Sequence, residues 1–468
     1  MPSPHIALIG AGSASFGLDA VAGILRTPEL RGARLSLIDT NGPALEELAA
    51  VARRLSEQWG AEAEIVFDTD RRRVLGGADF VVISVAVDRE ATWARDREIA
   101  AAHGVSHYGE NGGPGALLHA ARNITTLLPI LRDIEALAPQ ALVVNFTNPL
   151  PRLCRAIQAA TSLRFVGLCH QLRFGYLVAA IALADELELD VPDDYAFRWS
   201  DTAVEAEVAL SHAAMERITI HAAGLNHFTW MLDIHDRHTG QSLLETAREN
   251  LVKRVPKRHP RFEPLTRWLT ASTGYIPVSG DTHLSEYLPY TARPPGWSSY
   301  DIQAYDHAWS DRGRQARRAL VSALAAGEAD ISPLVTLPTE RVEHLIAGVW
   351  HDTGAREEAV NVVNRPTPED EPAIANLPDD AIVEVPGTLH RDRIRPEPVG
   401  ALPQPIAEWC RRETTAADLA VRAALERSRD LARKAILVDP TSPDLRKIDA
   451  MLDAYMDAFD TQLGGPWS

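Results

Sequence analysis

The sequence predicts an α/β protein, with a doubly wound parallel sheet in its first part and a mixed α+β region in its second. Short apolar segments alternate with helical segments up to about residue 195, which is the pattern of a parallel sheet with crossover helices. Beyond that point several strand-like segments follow one another, which favours antiparallel pairing. We therefore expect one domain at residues 1–195 and a second at 196–468 that ends in helices.

The elements follow in order along the chain. In the first part, strands are predicted at residues 6–9, 35–38, 64–67, 78–84 and 141–145, with a sixth ending at 166–170, and helices at about 16–25 and 44–59. In the second part, strands are predicted at 195–199, 204–208, 218–220 and 228–234, and the Pro-rich, acidic stretch at 364–386 is predicted to be a structured surface loop that residues 381–385 interrupt. Thr415-Ala-Ala-Asp418 resembles a capping box, which predicts the start of a long helix that runs to Val438. A last helix is predicted up to about Phe459.

Composition excludes several classes of protein. The 468 residues carry a net charge of −17, which argues against general nucleic-acid binding and gives no help in docking on anionic lipid. Three cysteines make a poor disulfide framework and indicate reduced thiols. The first strand begins too close to Met1 for a signal peptide, and no apolar run reaches the length of a membrane span. We expect a soluble cytoplasmic protein that contacts neither nucleic acid nor membrane.

The first strand ends in a glycine turn that predicts dinucleotide binding. Gly10 permits the tight turn, and Gly12 lets the backbone approach a pyrophosphate beside Ser13. The following helix offers N–H groups to the phosphates. Asp39 ends the second strand, where an acid binds the ribose hydroxyls and opposes a 2′-phosphate, so NAD is favoured over NADP. The alternative is a parallel-sheet domain with a tight first turn and no nucleotide.

Two further segments offer contacts to a ligand. Asn145-Phe-Thr-Asn148-Pro149 ends a predicted strand, and ligands of open parallel sheets bind at such ends. The amides of Asn145 and Asn148 suit a nicotinamide or a sugar hydroxyl, although Asn-Pro also favours a simple turn. Glu110 and Asn111 lie in a glycine-rich turn that predicts either a substrate-contacting loop or a helix entry.

Cys169-His170 and Gly224-Leu-Asn-His227 bring a thiol and an imidazole into the same chain. Together these groups can hold a divalent transition metal, although neither spacing matches a structural zinc site and each residue alone suits a buried core. Residues 279–287 are dense in groups that move protons, with Asp281, Glu286 and Tyr287 as candidate bases. By composition alone this segment is a polar loop.

The combination resembles the family 4 glycoside hydrolases, the NAD-dependent glycosidases. The likeness spreads in order over most of the chain, and it is carried by Gly10-Ala-Gly-Ser, Gly113-Pro-Gly115, Asn145-Phe-Thr-Asn-Pro149, Gly167-Leu-Cys-His170, Gly224-Leu-Asn-His227 and Asn376-Leu-Pro378. The resemblance implies a Rossmann domain joined to a lactate-dehydrogenase-like second domain, with bound NAD and manganese or another divalent metal. The implied roles are metal ligation by Cys169 and His227, leaving-group protonation by His170, sugar contact by Asn148, and proton abstraction by Asp281 or, as the alternative, Tyr287.

The resemblance also implies a redox route that avoids the usual two carboxylates. NAD takes hydride from C3 of the sugar, the proton at C2 is removed, the C1 leaving group departs, water adds, and the hydride returns. The metal polarises the C3 carbonyl as a Lewis acid. The Cys-His dipeptide resembles members that act on unphosphorylated sugars, so the expected substrate is an α-galactoside, α-glucoside, α-galacturonide or α-glucuronide. We expect a homodimer or homotetramer whose partner is a small sugar substrate.

One departure from the family is the gap of 58 residues between Cys169 and His227, which is wider than expected. The extra segment, about residues 194–211, is predicted to reshape the substrate pocket, and His221 is an alternative to His227 as the ligand. Two other functions also stay open. An NAD-dependent dehydrogenase of a hydroxy acid or sugar shares the glycine turn and needs no metal pair. A nucleotide-sensing protein of the same fold binds cofactor without turnover.

Overall fold

The computed structural model describes residues 3–13, 16–87, 89–105, 110–198, 200–288, 310–337, 339–440 and 444–468. The strands are β1 His5–Ile9, β2 Arg34–Ile38, β3 Glu64–Asp68, β4 Phe80–Ile83, β5 Leu142–Asn145, β6 Arg164–Gly167, β7 Ile218–Leu225, β8 Phe228–Asp236, β9 Ile276–Pro277, β10 Arg356–Val363, β11 Ile382–Leu389 and β12 Ile394–Pro396. The helices are α1 Gly17–Arg26, α2 Gly42–Trp59, α3 Arg89–Ala102, α4 Gly113–Leu137, α5 Leu150–Ala160, α6 Gln171–Ala182, α7 Asp201–Arg217, α8 Leu244–Lys253, α9 Val255–Arg258, α10 Pro264–Thr273, α11 Asp281–Tyr287, α12 Ser310–Ala326, α13 Val342–His351, α14 Gln404–Glu426, α15 Arg429–Val438 and α16 Ile448–Phe459.

The strands of the described segments form one continuous sheet in the order β3-β2-β1-β4-β5-β6-β10-β11-β7-β8-β9, with β12 paired to β11. Strands β1 to β6 are parallel, and the remaining pairings are antiparallel. The strand order reverses between β1 and β4, which is where open α/β sheets bind ligands at their carboxyl ends.

The parallel half is covered by helices on both faces. Alternate residues of β1 enter different apolar clusters. Ile6 and Leu8 pack with residues of α1 and α2, whereas Ala7 and Ile9 pack with residues of α4. A strand that is buried on both faces needs a continuous apolar run, which is what the sequence of β1 provides. The predicted α/β fold with a doubly wound first part is confirmed.

The six strands predicted in the first part are confirmed, as are those at β7 and β8. Residues 382–385, expected to interrupt a surface loop, belong instead to the mostly buried strand β11. The strands predicted at 195–199 and 204–208 are wrong. Residues 195–198 are irregular, residue 199 lies outside the described part, and 204–208 belong to α7. The side chain of Ser200 accepts a hydrogen bond from the backbone N–H of Ala203, which starts the helix. Residues Glu207, Leu210 and Ala214 are then buried at helical spacing, and this period outweighs a short alternation of apolar residues.

The capping box predicted at Thr415 is also wrong, because α14 already begins at Gln404 and runs through it. Pro405 in the first turn starts the helix, and Ser428 caps the separate helix α15. Helices α14 to α16 pack back on α3, α4 and α5. The chain thus returns to its first half, and the domain boundary at residue 195 stays a prediction. No helix in the described ranges is long and apolar enough to cross a membrane.

Glu413 of α14 is buried among charged groups, and this makes stability depend on pH. Burial, with the nearby Asp439 carboxylate, raises the pKa of Glu413 to about 7 although Arg412 and Arg152 lower it. In an unfolded chain the pKa of a glutamate is about 4.3. The contribution of Glu413 to stability is therefore full below about pH 4.3 and is lost as the pH rises through about 7.

Glu413→Gln is expected to be more stable than wild type at pH 8, by about 1–3 kcal/mol, because glutamine resembles the protonated carboxyl. The advantage should shrink as the pH is lowered towards 5, and urea unfolding midpoints at both pH values measure it. Glu426→Gln, in an exposed ion pair at the end of the same helix, is the matched control. An advantage of the same size at both pH values would show that the charge of Glu413 is not its cause.

Candidate functional site

A pocket of about 700 Å³ lies at the carboxyl ends of β1, β2, β4 and β5. Its lining includes Gly10, Gly12, Ser13 and Asp39. Gly10 has φ +89°, and a Cβ atom there would lie 1.9 Å from the carbonyl oxygen of Ser84. Gly12 donates its backbone N–H to Asp39 Oδ2 at 2.9 Å, and a Cβ atom on Gly12 would lie 2.9 Å from that carboxylate. The backbone therefore requires glycine at position 10, and a side chain at position 12 would displace the Asp39 carboxylate from its hydrogen bond.

The carboxylate of Asp39 is fixed at the end of β2. Its second oxygen, Oδ1, accepts the backbone N–H of Asn41 at 2.8 Å. A dinucleotide laid along this edge would meet a negative charge where a 2′-phosphate would sit. The pocket therefore suits NAD, as the sequence predicts, by its glycine turn and by the chemistry of Asp39.

Of the two asparagines predicted at the end of β5, only Asn148 lines the pocket. The side chain of Asn145 is fully buried and forms hydrogen bonds with the backbone of Thr147 at 3.0 and 3.1 Å. Asn145 thus stabilises the turn by these internal hydrogen bonds. The residues of the turn that line the pocket are Phe146, Thr147 and Asn148.

Cys169 and His227 come together from two strands that are not neighbours in the sheet. The Cys169 Sγ and His227 Nε2 atoms lie 3.4 Å apart. Two donor atoms on one ion can lie no further apart than the sum of their bonds, ~4.3 Å for thiolate and imidazole. Burial lowers the pKa of His227 well below its usual value, so the ring is neutral as a ligand must be. Burial also raises the pKa of the Cys169 thiol, so a metal ion would have to displace the thiol proton when it binds. These residues fit a divalent metal.

His221, the alternative to His227, lies elsewhere. Its ring packs against that of His235 with 5.5 Å between centroids, and its Nδ1 atom is 3.4 Å from the guanidinium of Arg356. Among the described residues, no hydrogen bond joins it to Cys169. The geometry favours His227 as the ligand.

Four paired residues form a row across the sheet, and this row sets the distance between the carboxyl ends of β6 and β7. Gly167 of β6 pairs with Asn361 of β10, Asn361 with Glu384 of β11, and Glu384 with Gly224 of β7. Each glycine begins one of the motifs, so Cys169 follows one end of the row and His227 the other. A Cβ atom on Gly167 would lie 2.9 Å from Cys154 Sγ, and one on Gly224 2.5 Å from the Phe228 carbonyl oxygen.

Two side chains of this row, those of Asn361 and Glu384, form a hydrogen-bond network with Asn226, the residue before His227. Glu384 Oε2 accepts hydrogen bonds from the amides of Asn226 at 2.6 Å and Asn361 at 2.8 Å. All three residues are buried. His227 itself has φ +61°, a conformation that is costly for a residue with a Cβ atom and persists only where its surroundings hold it. The bond from Glu384 to the adjacent Asn226 anchors the turn that carries it.

The other side of His227 faces the turn predicted to contact substrate. Its Nδ1 atom lies 3.2 Å from the Asn111 amide and 3.9 Å from Glu110 Oε2. With Nε2 on a metal, Nδ1 would carry the ring proton, and of these two groups only the Glu110 carboxylate is an acceptor that could orient the histidine through it. The possible metal-binding atoms of Glu110, His227 and His283 all lie within 4.8 Å of one another. Glu110 and His283 are therefore two further possible metal ligands near Cys169 and His227.

Glu110 links this cluster to the large pocket, whose lining it shares with Asn148. Burial raises the pKa of Glu110, and its Oε1 atom has no hydrogen-bond partner among the described residues. A buried oxygen without a partner is costly unless a ligand or water supplies a donor. Glu110 therefore suits the sugar contact that the sequence predicts.

Glu286 and His283 hold the Glu110–Asn111 turn in place. Glu286 Oε2 accepts the backbone N–H of Asn111 at 2.8 Å and its amide at 3.1 Å. Glu286 Oε1 lies 3.0 Å from His283 Nδ1, and the His283 ring packs on that of His227 with 4.0 Å between centroids. The dense polar segment at 279–287 is thus a helix, α11, that supports the site.

Asp281, the predicted base, begins this helix. Its carboxylate accepts hydrogen bonds from the backbone N–H groups of Leu265 and Thr266 at 2.9 and 2.8 Å, and from the Thr266 hydroxyl. Burial raises its pKa well above the usual value, and the nearby Glu263 adds to this shift. In the described part of the chain, no hydrogen bond joins Asp281 to Cys169 or His227, and its role as base stays a prediction.

Tyr287, the alternative base, ends the same helix. Its hydroxyl donates to the carbonyl oxygen of Asn226 at 2.8 Å, one residue before His227. Burial raises its pKa well above the usual value, and Glu286 adds to the shift. Tyr287 is therefore harder to deprotonate than an exposed tyrosine.

His170 precedes α6 and is half exposed. Its Nδ1 atom lies 2.6 Å from a carboxylate oxygen of Glu340, and this contact raises the pKa of His170. The extra segment between Cys169 and His227 forms α7, which packs on α6. It brings Glu207 3.8 Å from Arg173, in the first turn of α6, the helix that begins directly after His170. The segment therefore does reach the surroundings of His170.

Sequence reasoning missed Asn361, Glu384 and Glu340. A carboxylate between valines in a buried strand, Val383-Glu384-Val385, is a signal that could have drawn attention to Glu384. Nothing in the local sequence connects Asn361 or Glu340 with residues about 170 to 190 positions away.

The chain is similar to known proteins over most of its length. Residues 5–178 match the model of the family 4 glycosyl hydrolases, and residues 222–442 match that of their C-terminal domain. An α-glucosidase from Erwinia rhapontici is 27% identical over 96% of this chain and 97% of its own. An α-galactosidase from Rhizobium meliloti is 28% identical over 94% and 84%, respectively. A 6-phospho-α-glucosidase from gut microorganisms, solved with NAD and Mn²⁺, superposes with a TM-score of 0.77 at 18% identity, over 99% of this chain and 100% of the other.

Proposed function

The chain belongs to the family 4 glycosyl hydrolases, and on that premise we propose that it cleaves unphosphorylated α-hexosides or α-hexuronides with NAD and a divalent metal. The single observation that carries the proposal is the 3.4 Å approach of Cys169 Sγ to His227 Nε2 beside a dinucleotide-type pocket. A dehydrogenase of hydroxy acids needs the pocket but not the pair. The combination therefore favours a glycosidase over the dehydrogenase.

The cofactors supply what the side chains lack. When bound, NAD accepts and returns a hydride, and the metal, manganese by preference, acts as a Lewis acid on sugar oxygens. Gly10, Gly12, Ser13 and Asp39 would hold the dinucleotide. Cys169 and His227 would hold the metal, with the Glu110 carboxylate as the acceptor nearest to the second ring nitrogen of the histidine.

The remaining side chains bind sugar and move protons. Asn148 and Glu110 line the pocket where it meets the cluster, and they are proposed to bind sugar hydroxyl groups. His170, held by Glu340, is proposed to protonate the departing oxygen at C1. Asp281 is proposed to take the proton from C2, with Tyr287 as the alternative.

The proposed substrate class rests on the Cys-His dipeptide and on two relatives. The names of these relatives, α-glucosidase and α-galactosidase, specify the α anomer and an unphosphorylated hexose. We also propose a cytoplasmic location, because three unpaired cysteines suit a reducing compartment. A homodimer or homotetramer is the proposed assembly.

The test is a panel of 4-nitrophenyl α-galactoside, α-glucoside, α-galacturonide and α-glucuronide with NAD, Mn²⁺ and a thiol reductant. We expect many turnovers per NAD and no accumulation of NADH, because the hydride returns to the product. The 6-phosphorylated counterparts of the α-galactoside and the α-glucoside should react more slowly. NADH formed mole for mole with product would instead identify a dehydrogenase, and NAD binding without turnover a sensor.

A further inference from the structure

We propose that Arg318, with Arg314 one turn before it, binds the pyrophosphate of NAD from a helix outside the parallel half of the fold. This inference rests on the proposed function and adds a binding element that the glycine turn does not contain. Both arginines belong to α12 and line the large pocket together with Gly12 and Ser13.

Helix α12 is docked against the first two helices of the parallel half. It packs on α2, where the Ser322 hydroxyl donates to Glu47 at 2.9 Å. The Arg54 guanidinium donates to the carbonyl oxygen of Leu324, near the same C-terminal end of α12. These contacts fix both the position and the rotation of the helix.

An ion pair of Arg317 fixes which part of α12 lies beside the start of α1. Arg317 Nη2 lies 2.8 Å from Asp19 Oδ2, and Asp19 is in the first turn of α1. Residues four apart lie on one face of a helix, so Arg314 and Arg318 share a face beside Arg317. Arg314 and Arg318 therefore lie near the N-terminal end of α1. The phosphates of a dinucleotide bind at this end of the first helix.

The charges of the pocket support a phosphate contact. The pyrophosphate of NAD carries two negative charges, and the nearest acid of the glycine turn, Asp39, is itself negative. The described part of the turn, residues 10–13, offers backbone N–H groups and the Ser13 hydroxyl but no positively charged side chain. Two guanidinium groups from α12 would balance the phosphates from the opposite side, as charge-assisted hydrogen bonds.

Arg318 is available for this role. Its side chain is exposed at the rim of the pocket, and within the described residues it has neither a hydrogen bond nor an ion pair with protein. Arg314 contacts Ser310 and Asp311, so it is held near the rim. Arg318 is accordingly the better residue to test.

The test compares ligands that contain the pyrophosphate with one that lacks it. Calorimetric Kd values of NAD, NADP, ADP-ribose and adenosine are measured for wild type, Arg318→Ala and Arg318→Lys without metal. We expect Arg318→Ala to weaken NAD and ADP-ribose by about 10-fold and to leave adenosine unchanged. Arg318→Lys should restore part of the loss, and the affinity of Arg318→Ala should fall less steeply with added salt.

Arg312→Ala is the matched control, because Arg312 is exposed on the same helix and does not line the pocket. Unchanged NAD affinity in Arg318→Ala would overturn the inference, and so would an equal loss for adenosine. A loss confined to NADP would also overturn it and place Arg318 at the ribose. If wild type binds no NAD at all, the proposed function fails instead, so the two failures are distinguishable.

Discussion

Replacing Cys169 by serine or His227 by alanine is expected to lower turnover by more than about 100-fold. Loss of groups that merely orient a metal ligand commonly costs about 10–100-fold in metal affinity or activity, and loss of a ligand should cost more. The measurement is a Co²⁺ titration, in which the thiolate-to-metal absorption of wild type should be absent in Cys169→Ser. Calorimetry with Mn²⁺ gives the loss of affinity for both variants.

The structure provides matched controls for this prediction. Cys410→Ser changes a thiol in α14, and His221→Ala removes the histidine that packs on His235. Both should keep wild-type metal affinity. A larger loss in His221→Ala than in His227→Ala would reverse the choice of ligand, and full activity of wild type after chelation would remove the metal from the proposal.

Glu384→Gln should give an intermediate result. Glutamine keeps one oxygen for the amides of Asn226 and Asn361 but loses the charge that strengthens both bonds. We expect metal affinity to fall by about 10–100-fold while NAD affinity is unchanged, because the glycine turn lies on the other half of the sheet. Unchanged metal affinity would show that the row does not position His227.

Asp281→Asn is expected to lower turnover by about 10²–10⁴-fold, the range for loss of a general base. In heavy water, wild type should release sugar that carries deuterium at C2, because the proton removed there exchanges with solvent. Asp281→Asn should lose that exchange while still binding NAD. Mass spectrometry of the product and calorimetry with NAD measure the two effects.

Because Asp281 also bonds to the start of α10, a control must separate the two roles. Thr266→Val removes the hydroxyl that donates to Asp281 Oδ1 and leaves the carboxylate in place. If Asp281 is the base, this variant loses some stability but keeps the C2 exchange. Tyr287→Phe should lose only the bond to Asn226. Abolished exchange in Tyr287→Phe with normal exchange in Asp281→Asn would assign the base to tyrosine.

The sequence by itself determined the parallel half of the fold and the ends of its strands. Continuous apolar runs such as that of β1 and the glycine turn at Gly10 and Gly12 depend on local conformation and burial, which a short window contains. The motifs that carry Cys169 and His227 could be found for the same reason, since each follows the end of a strand. Their resemblance to a known family then joined them.

The sequence misled where a short local pattern competed with packing. Three apolar residues at alternate positions between 204 and 208 predicted a strand, but Leu210 and Ala214 continue a helical face that packs on α6. The apparent cap at Thr415 lies inside α14. A motif of four residues does not reveal that the helix has already begun 11 residues earlier.

Only the tertiary structure decided how the site is assembled. The row from Gly167 through Asn361 and Glu384 to Gly224 depends on the register of strands that are far apart in sequence. The approach of α12 to the pocket depends likewise on how that helix docks on α1 and α2. Register and docking result from the packing of many distant side chains, and no local periodicity encodes them.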